Sequence, residues 1–201
     1  DEASGAPVAD YWGTTNGTAT GTTVVAGQYS NARNFNGTSD WVDLGINKIG
    51  PLINGASQVT ASLWIKPSAW PAVSGRKRAF SVNIDDVAGP SGVLVSLYND
   101  AGTIKAEFNG RSVVTDAVQT SRITYTGALN EWHHLAAVYN FASDTITPYL
   151  DGTPGTPTSV AFANTTYTQG AFSADWNDSI GITRTTSNVD YFSGAIDDVR
   201  I

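Results

Sequence analysis

Apolar and polar residues alternate along many short stretches of this chain, with the period of two that a half-buried β-strand requires. In the clearest stretch, residues 58–66, the apolar positions Val59, Ala61, Leu63 and Ile65 alternate with polar positions and one tryptophan. Further stretches of this kind are residues 78–84, 92–98, 103–108, 132–139, 145–150, 179–184 and 191–201. Glycine and proline recur too often between them to leave room for a long helix. The pattern therefore predicts an all-β sandwich.

Turn signals separate these stretches. The dipeptides Asn36-Gly37 and Asp151-Gly152 are flanked by apolar residues, which favours tight hairpin turns. Pro148 lies inside the stretch 145–150, and because proline has no N–H to donate, this strand is expected at an edge or a bulge. The first thirty residues predict a long loop with little strand. No composition break divides the chain, so residues 1–201 are predicted to form a single domain.

Composition and charge narrow the function classes. The net charge of −7 argues against a nucleic-acid partner, whose phosphates require a basic surface. No apolar run approaches the ~20 residues of a membrane span, so no membrane insertion is expected. Only 14% of the residues are charged, a composition that suits a secreted protein or one on an extracellular surface. The absence of methionine, even at position 1, predicts that the chain is a mature form or a segment excised from a larger protein.

The adjacent acids Asp197 and Asp198 lie in the last predicted strand. Regular alternation would place Asp198 and Arg200 on one face and Asp197 on the other. A buried carboxylate is costly unless it is paired, hydrogen-bonded or bound to a cation, and Arg200 can serve only the aspartate on its own face. We therefore expect one of the two aspartates to have a fixed partner. A calcium ion, which prefers oxygen ligands, is the cation that fits this expectation.

Six segments, in this order, resemble the laminin-G-like (pentraxin-like) branch of the concanavalin A-like lectin/glucanase superfamily. They are residues 1–10 (DEASG, then VAD), 32–44 (ARNFNG, then DWVDL), 59–67 (VTASLWIKP), 131–139 (EWHHLAAVY), 149–152 (YLDG) and 192–201 (FSGAIDDVRI). The resemblance implies a jelly-roll β-sandwich of two antiparallel sheets. The family has an apolar strand before the first segment, and the sequence lacks it, so we expect an open sheet edge there.

The resemblance also implies a structural calcium site. Relatives hold this ion with an aspartate of the last strand, a glycine carbonyl of the early hairpin and carbonyls near the opening segment. By position these ligands are Asp197, Gly37 and the region of Asp1.

Catalytic chemistry is not expected. Glucanases of the superfamily cluster their carboxylates on one strand, in a Glu-x-Asp-x-(x)-Glu pattern. The three glutamates of this chain, Glu2, Glu107 and Glu131, do not form that pattern. His133 and His134 point to opposite faces of their strand and have no Ser or Cys motif beside them. We expect one histidine in the core and one half exposed.

Two tryptophans are candidates for a sugar platform. Trp70 and Trp176 each lie among turn residues, and Trp176 is flanked by Asp175 and Asn177. An exposed ring stacks on the C–H patches of a sugar, while neighbouring carboxylates and amides hydrogen-bond its hydroxyl groups. The alternative is that each ring packs against the end of the sandwich. Packing roles are expected for Trp41, Trp64 and Trp132.

The expected function is a non-catalytic carbohydrate-binding or adhesion module of an extracellular protein, with a polysaccharide or glycan as its ligand. The alternative is a structural building block of a virion, a surface layer or an extracellular filament. Neighbouring domains or identical subunits would then donate the missing strand.

Overall fold

Two antiparallel sheets pack face to face across an apolar core. The computed structural model describes residues 8–11, 13, 15–82, 92–169, 177–183 and 189–201. Its strands are β1 (Thr18–Thr20), β2 (Thr23–Ala26), β3 (Asn31–Asn36), β4 (Trp41–Ile46), β5 (Gln58–Pro67), β6 (Arg76–Val82), β7 (Val93–Asp100), β8 (Thr103–Gly110), β9 (Gln119–Thr124), β10 (His133–Asn140), β11 (Thr145–Leu150), β12 (Thr153–Pro154), β13 (Thr158–Ser159), β14 (Asn177–Ile180) and β15 (Ser193–Arg200). A short helix, α1 (Gly50–Ile53), follows β4.

The eight-stranded sheet has the order β12-β11-β10-β5-β15-β3-β2, with β13 beside β11. The seven-stranded sheet has the order β1-β4-β14-β6-β7-β8-β9. Several neighbours in these orders, such as β5 with β15 and β4 with β14, come from distant parts of the chain, as in a jelly roll. The fold class predicted from the sequence, an all-β sandwich of two antiparallel sheets, is confirmed. No helix in the described part of the chain is long and apolar enough to cross a membrane.

Alternation sets which side chains face the core. In β5, Val59, Ala61, Leu63 and Ile65 are buried, whereas the residues between them are more exposed. Large rings from both sheets fill the space between the layers, and fully buried examples are Phe35, Phe80, Phe108, Tyr139 and Phe141. Burying one such side chain contributes ~1.5–3 kcal/mol, so the apolar faces hold the two sheets together. The outer face of each sheet is the face turned away from this core.

The structure confirms most of the expected strands and adds short ones. β1 and β2 lie within the first thirty residues, where little strand was expected. Both turn residues Asp151 and Gly152 have positive φ, 49° and 76°, as the predicted tight hairpin requires. Pro148 lies between the residues of β11 that pair with β12 and those that pair with β13. Its missing N–H therefore falls at a gap in pairing close to the sheet edge.

The last strand departs from regular alternation. Asp197 pairs with Trp64 and Arg200 pairs with Ser62, so one extra residue is inserted between them. Asp198 lies at this bulge with φ of 48°, in the left-handed region that Asp tolerates better than most residues. Asp197 and Arg200 consequently lie on the same face of the sheet, whereas regular alternation predicted opposite faces.

Candidate ligand-binding groove

A groove of about 510 Å³ lies on the outer face of the eight-stranded sheet. Its floor comes from β5 and β10, and β15 forms one side. The turn between β2 and β3 and the turn between β11 and β12 complete it. Its lining residues are Tyr29, Ser62, Trp64, His134, Asp151, Gly152, Asp198 and Arg200.

Three rings form the apolar part of this groove. Trp64 of β5 lies opposite His134 of β10 in register, and their ring centroids are 5.2 Å apart. Tyr29 reaches over from the β2–β3 turn and meets Trp64 edge to face, with centroids 6.1 Å apart. Tyr29 remains 58% exposed. The groove therefore offers aromatic surface to a ligand from solvent.

The β15 bulge provides the charged side of the groove. Arg200 Nε donates a hydrogen bond to Asp198 Oδ1 at 2.9 Å, so the two side chains hold each other beside the rings. Both remain accessible at the groove. This pair presents carboxylate acceptors and guanidinium donors at fixed positions.

Asp151 joins the turn to the strand beside it. Its Oδ1 accepts a hydrogen bond from the backbone N–H of His134 at 2.8 Å, and its Oδ2 lies 2.7 Å from Nδ1 of His133. His133 points toward the interior, where its ring meets Tyr125 edge to face. His134 points into the groove. The two histidines thus point to opposite faces as expected, but both are partly exposed, so neither is the core histidine that the sequence predicted.

The imidazole of His134 is uncharged at neutral pH. Partial burial is the main cause that lowers its pKa below the ordinary value, and the charge of Arg200 acts in the same direction, against the opposing effects of Asp151 and Asp198. A neutral imidazole has one N–H donor and one acceptor nitrogen. It can therefore exchange hydrogen bonds with hydroxyl groups and repels no cation.

A second, smaller groove of about 280 Å³ lies on the same sheet face. Its lining residues are Val25, Ala26, Asn34, Lys66, Ser68, Asn130, Gly194 and Ala195. Lys66 and Trp64 are successive outer residues of β5, so the two grooves are neighbours separated by about 7 Å of strand. This face of the sheet can accommodate an extended ligand.

Asp197 and Gly37, two of the three predicted calcium ligands, lie apart in the structure. Asp197 is buried, and its Oδ2 accepts a hydrogen bond from the backbone N–H of Tyr29 at 2.9 Å. Gly37 lies at the other end of β15, beside Ser193 and Lys77, about 13 Å along the strand from Asp197. Asp1 lies outside the described residues. Asp197 thus has the fixed partner that the sequence required, and this partner is a backbone amide.

The acids in the described residues do not gather elsewhere. No group of three or more His, Cys, Asp or Glu side chains that could hold a metal occurs in the part of the chain that the structure describes. A calcium ion at Asp197 stays a prediction, and the β2–β3 turn is the backbone nearest to that carboxylate.

The residues expected to form a sugar platform are differently placed. Trp70 packs against the core and meets Tyr125 edge to face at 5.7 Å, which is the packing alternative stated above. Asn177 is buried in β14 and donates to the Asp43 carboxylate at 2.7 Å, so its amide is already engaged. Asp175 and Trp176 lie outside the described residues.

Trp64 and Tyr29 were not selected as binding residues from the sequence. Trp64 was expected to be a packing residue because it lies within a strand. The alternation of β5 indicated its exposure, because Trp64 occupies the same side of the strand as the polar residues Ser62 and Lys66. Nothing in the local sequence of Tyr29 indicates that its turn folds over β5.

The comparisons with known proteins identify the family. Residues 36–201 match the sequence model of a laminin-G family described as the concanavalin A-like lectin/glucanases superfamily. The chain belongs to this family. A comparison with curated protein sequences finds no match.

Solved structures of low sequence identity share the fold. Domain 4 of an extracellular arabinanase from Geobacillus stearothermophilus, in complex with arabinotriose, has a TM-score of 0.58 and 17% identity, covering 91% of this chain and 75% of that one. The sialidase module CBM40 of Ruminococcus gnavus, bound to α2,3 sialyllactose, has a TM-score of 0.62 and 15% identity, covering 84% and 88%. A pentraxin of Limulus polyphemus has a TM-score of 0.57 and 16% identity, covering 83% and 73%.

Proposed function

We propose that this protein is a carbohydrate-binding module that holds a glycan in the groove on the outer face of the eight-stranded sheet. The observation that carries the proposal is Trp64, a large ring on the polar side of β5 with Tyr29 beside it and the Asp198–Arg200 pair at the groove edge. An aromatic surface next to fixed donors and acceptors matches a sugar, which has apolar C–H patches and hydroxyl groups.

The charges of the groove favour a neutral glycan. Asp151 and Asp198 place two carboxylates on its lining, against the single guanidinium of Arg200, and Asp198 already engages that guanidinium. The His134 imidazole adds no charge because burial lowers its pKa. An anionic sugar would meet like charge here, which disfavours its binding.

The ligand is proposed to extend over more than one sugar ring. The neighbouring groove beside Lys66 continues the same sheet face and offers the polar side chains of Asn34, Ser68 and Asn130. The structures of the arabinanase domain with arabinotriose and of the sialidase module with sialyllactose support oligosaccharide binding by modules of this fold.

The module is proposed to be non-catalytic. Glu107 is a buried carboxylate on a sheet face, as glucanase acids are, but two arginines engage it. Burial raises the pKa of Glu107, but the hydrogen bonds and charges of Arg76 and Arg122 together outweigh burial and hold the pKa below its ordinary value. A general acid needs the opposite shift. We also propose that the protein is secreted or displayed on a surface, in line with the extracellular arabinanase.

Alanine substitution of Trp64 tests the groove. The wild type should bind one or more neutral oligosaccharides of a glycan array, and Trp64→Ala should weaken that binding by about tenfold or more, the effect of ~1.4 kcal/mol. Because Trp64 lies on the solvent side of β5, the change should cost less stability than the ~3–5 kcal/mol of a buried tryptophan. Isothermal titration of the best array ligand measures the first quantity, and thermal melting measures the second.

A matched control separates the groove from aromatic surface in general. Tyr11 is 82% exposed and does not line the groove, so Tyr11→Ala should leave glycan binding unchanged while Tyr29→Ala weakens it. Equal binding by the wild type and a folded Trp64→Ala would overturn the proposed site. No binding to any glycan, together with self-association in solution, would favour the structural alternative.

A further inference from the structure

The outer face of the seven-stranded sheet concentrates cationic side chains. It carries Arg76 on β6, Lys105 on β8 and Arg122 on β9, and beneath them the buried Arg78 of β6, four of the eleven cationic residues of a chain whose net charge is −7. The acids on this side of the described residues include Asp43 on β4, Asp100 and Glu107 on β7 and β8, and Asp190 beside Arg78. The positive charge on this face is concentrated where Arg76 and Arg122 meet the single carboxylate of Glu107.

One buried carboxylate organises two of these arginines. Glu107 Oε2 accepts hydrogen bonds from Nε and Nη2 of Arg122 at 2.8 and 2.6 Å. Arg76 donates to the same carboxylate through Nε and Nη2. The side chain of Glu107 has no solvent exposure, so its position is fixed by the sheet. Two cations share one anion here, which leaves one positive charge uncompensated within the triad.

An aromatic ring adds a second constraint. The guanidinium carbons of Arg76 and Arg122 lie 4.7 and 4.3 Å from the centroid of the Tyr98 ring. Cation–π contact with one ring holds both guanidinium groups in place. Their orientation is therefore set before any ligand arrives, which lowers the entropy cost of binding.

The same two arginines keep donors available to solvent. Each uses Nε and Nη2 on Glu107, and within the described residues no hydrogen bond involves Nη1 of either. The side chains are 35% and 37% exposed. Guanidinium N–H groups bind carboxylates with well-defined geometry. Hydroxyl-bearing neighbours, Thr124 bonded to Lys105 among them, offer partners for a polar ligand.

We propose that this face is a second binding site, which takes the carboxylate of an acidic saccharide between Arg76 and Arg122. The site lies on the opposite sheet from the aromatic groove and rests on different residues, so it stands or falls independently of the function proposed above. The Nη1 donors of both arginines bind the carboxylate, while Glu107 and Tyr98 position the two guanidinium groups. The aromatic groove and this site would then differ in the charge of the sugar that each accepts.

The test compares one sugar backbone with and without charge. Trigalacturonic acid and its methyl ester are titrated into the wild type by isothermal titration calorimetry, at low and at high salt. The acid should bind, more weakly at high salt because screening reduces ionic attraction. The ester lacks the charge and should bind more weakly, through the aromatic groove alone and without this dependence on salt. Arg122→Gln should weaken binding of the acid by about tenfold or more, whereas Arg122→Lys should retain part of it.

Two controls complete the design. Arg200→Gln removes an exposed arginine of the aromatic groove and should leave binding of the acid unchanged, and thermal melting confirms that each variant is folded. Equal binding of acid and ester, absence of binding of the acid, or loss on Arg200→Gln but not on Arg122→Gln would each overturn the proposal. Inorganic sulfate that binds as tightly as the acid would overturn the assignment to an acidic saccharide.

Discussion

Replacing Glu107 by glutamine removes the charge that two arginines share while keeping the shape of the side chain. Taking away one partner of a buried ion pair costs ~3–5 kcal/mol, because a charge is left unpaired in the interior. Arg76 and Arg122 are each about one third exposed, so water can hydrate the guanidinium groups left behind. We therefore expect Glu107→Gln to lower the free energy of unfolding by a smaller amount, about 2–3 kcal/mol.

Thermal melting at neutral pH measures this loss. In a domain of 201 residues each 1 kcal/mol shifts Tm by about 2–4 °C, so the expected fall is about 4–12 °C. Asp198→Asn is the matched control, because it breaks the exposed pair with Arg200, whose contribution should be only ~0–1 kcal/mol. The two substitutions remove the same kind of charge from a buried pair and from an exposed pair.

The pH dependence supplies an independent check. The pKa of Glu107 is lower in the folded protein than in the unfolded chain, where it is ~4.3. Its ionic contribution is therefore present in full above that pH and is lost as the pH falls through the folded-state pKa. The stability difference between the wild type and Glu107→Gln should shrink in acid. A difference below about 1 kcal/mol at neutral pH, or one that does not shrink in acid, would refute the reasoning.

Two further predictions concern backbone geometry and metal. Gly194 has φ of 122°, and a Cβ there would meet the carbonyl oxygen of Lys66. Gly194→Ala should therefore lower the free energy of unfolding by about 2–5 kcal/mol. Gly152→Ala, at a positive φ but with open space around it, should lower the free energy of unfolding by only about 1 kcal/mol. Urea unfolding measures both losses, and equal losses for the two variants would contradict this account. If calcium binds at Asp197 as predicted, it stabilises the folded protein by ~2.7 kcal/mol at a free calcium concentration one hundred times its Kd, and EGTA should remove this stabilisation. An unchanged Tm together with no calcium by elemental analysis would show that prediction to be wrong.

The sequence predicts the layers of this fold better than its site. Alternation in β5 assigns Val59 and Leu63 to the core and Ser62 and Trp64 to the other face, and the structure confirms this assignment. Alternation cannot predict the bulge in β15, because the left-handed conformation of Asp198 is stabilised by pairing with β5, more than 130 residues earlier.

The groove depends on contacts between distant segments. Tyr29 and Trp64 come from different strands, and only the sheet order brings the β2–β3 turn beside β5. Trp70 shows the converse, because its turn sequence predicts exposure while Tyr125, 55 positions later, packs against its ring. Glu107 likewise lies between apolar residues in the sequence, which gives no indication of its partners. The structure shows that Arg76 and Arg122 bind its carboxylate.

The two candidate sites on the opposite outer faces carry opposite local charge. In the described residues, acids outnumber cations along the aromatic groove, and cations outnumber acids beside Tyr98. When Arg76 and Arg122 engage an anionic polymer as proposed, the seven-stranded sheet faces that polymer. The aromatic groove then points away from the charged surface. A tethered copy could thus rest on one polymer while its other face remains open to solvent and to a second one.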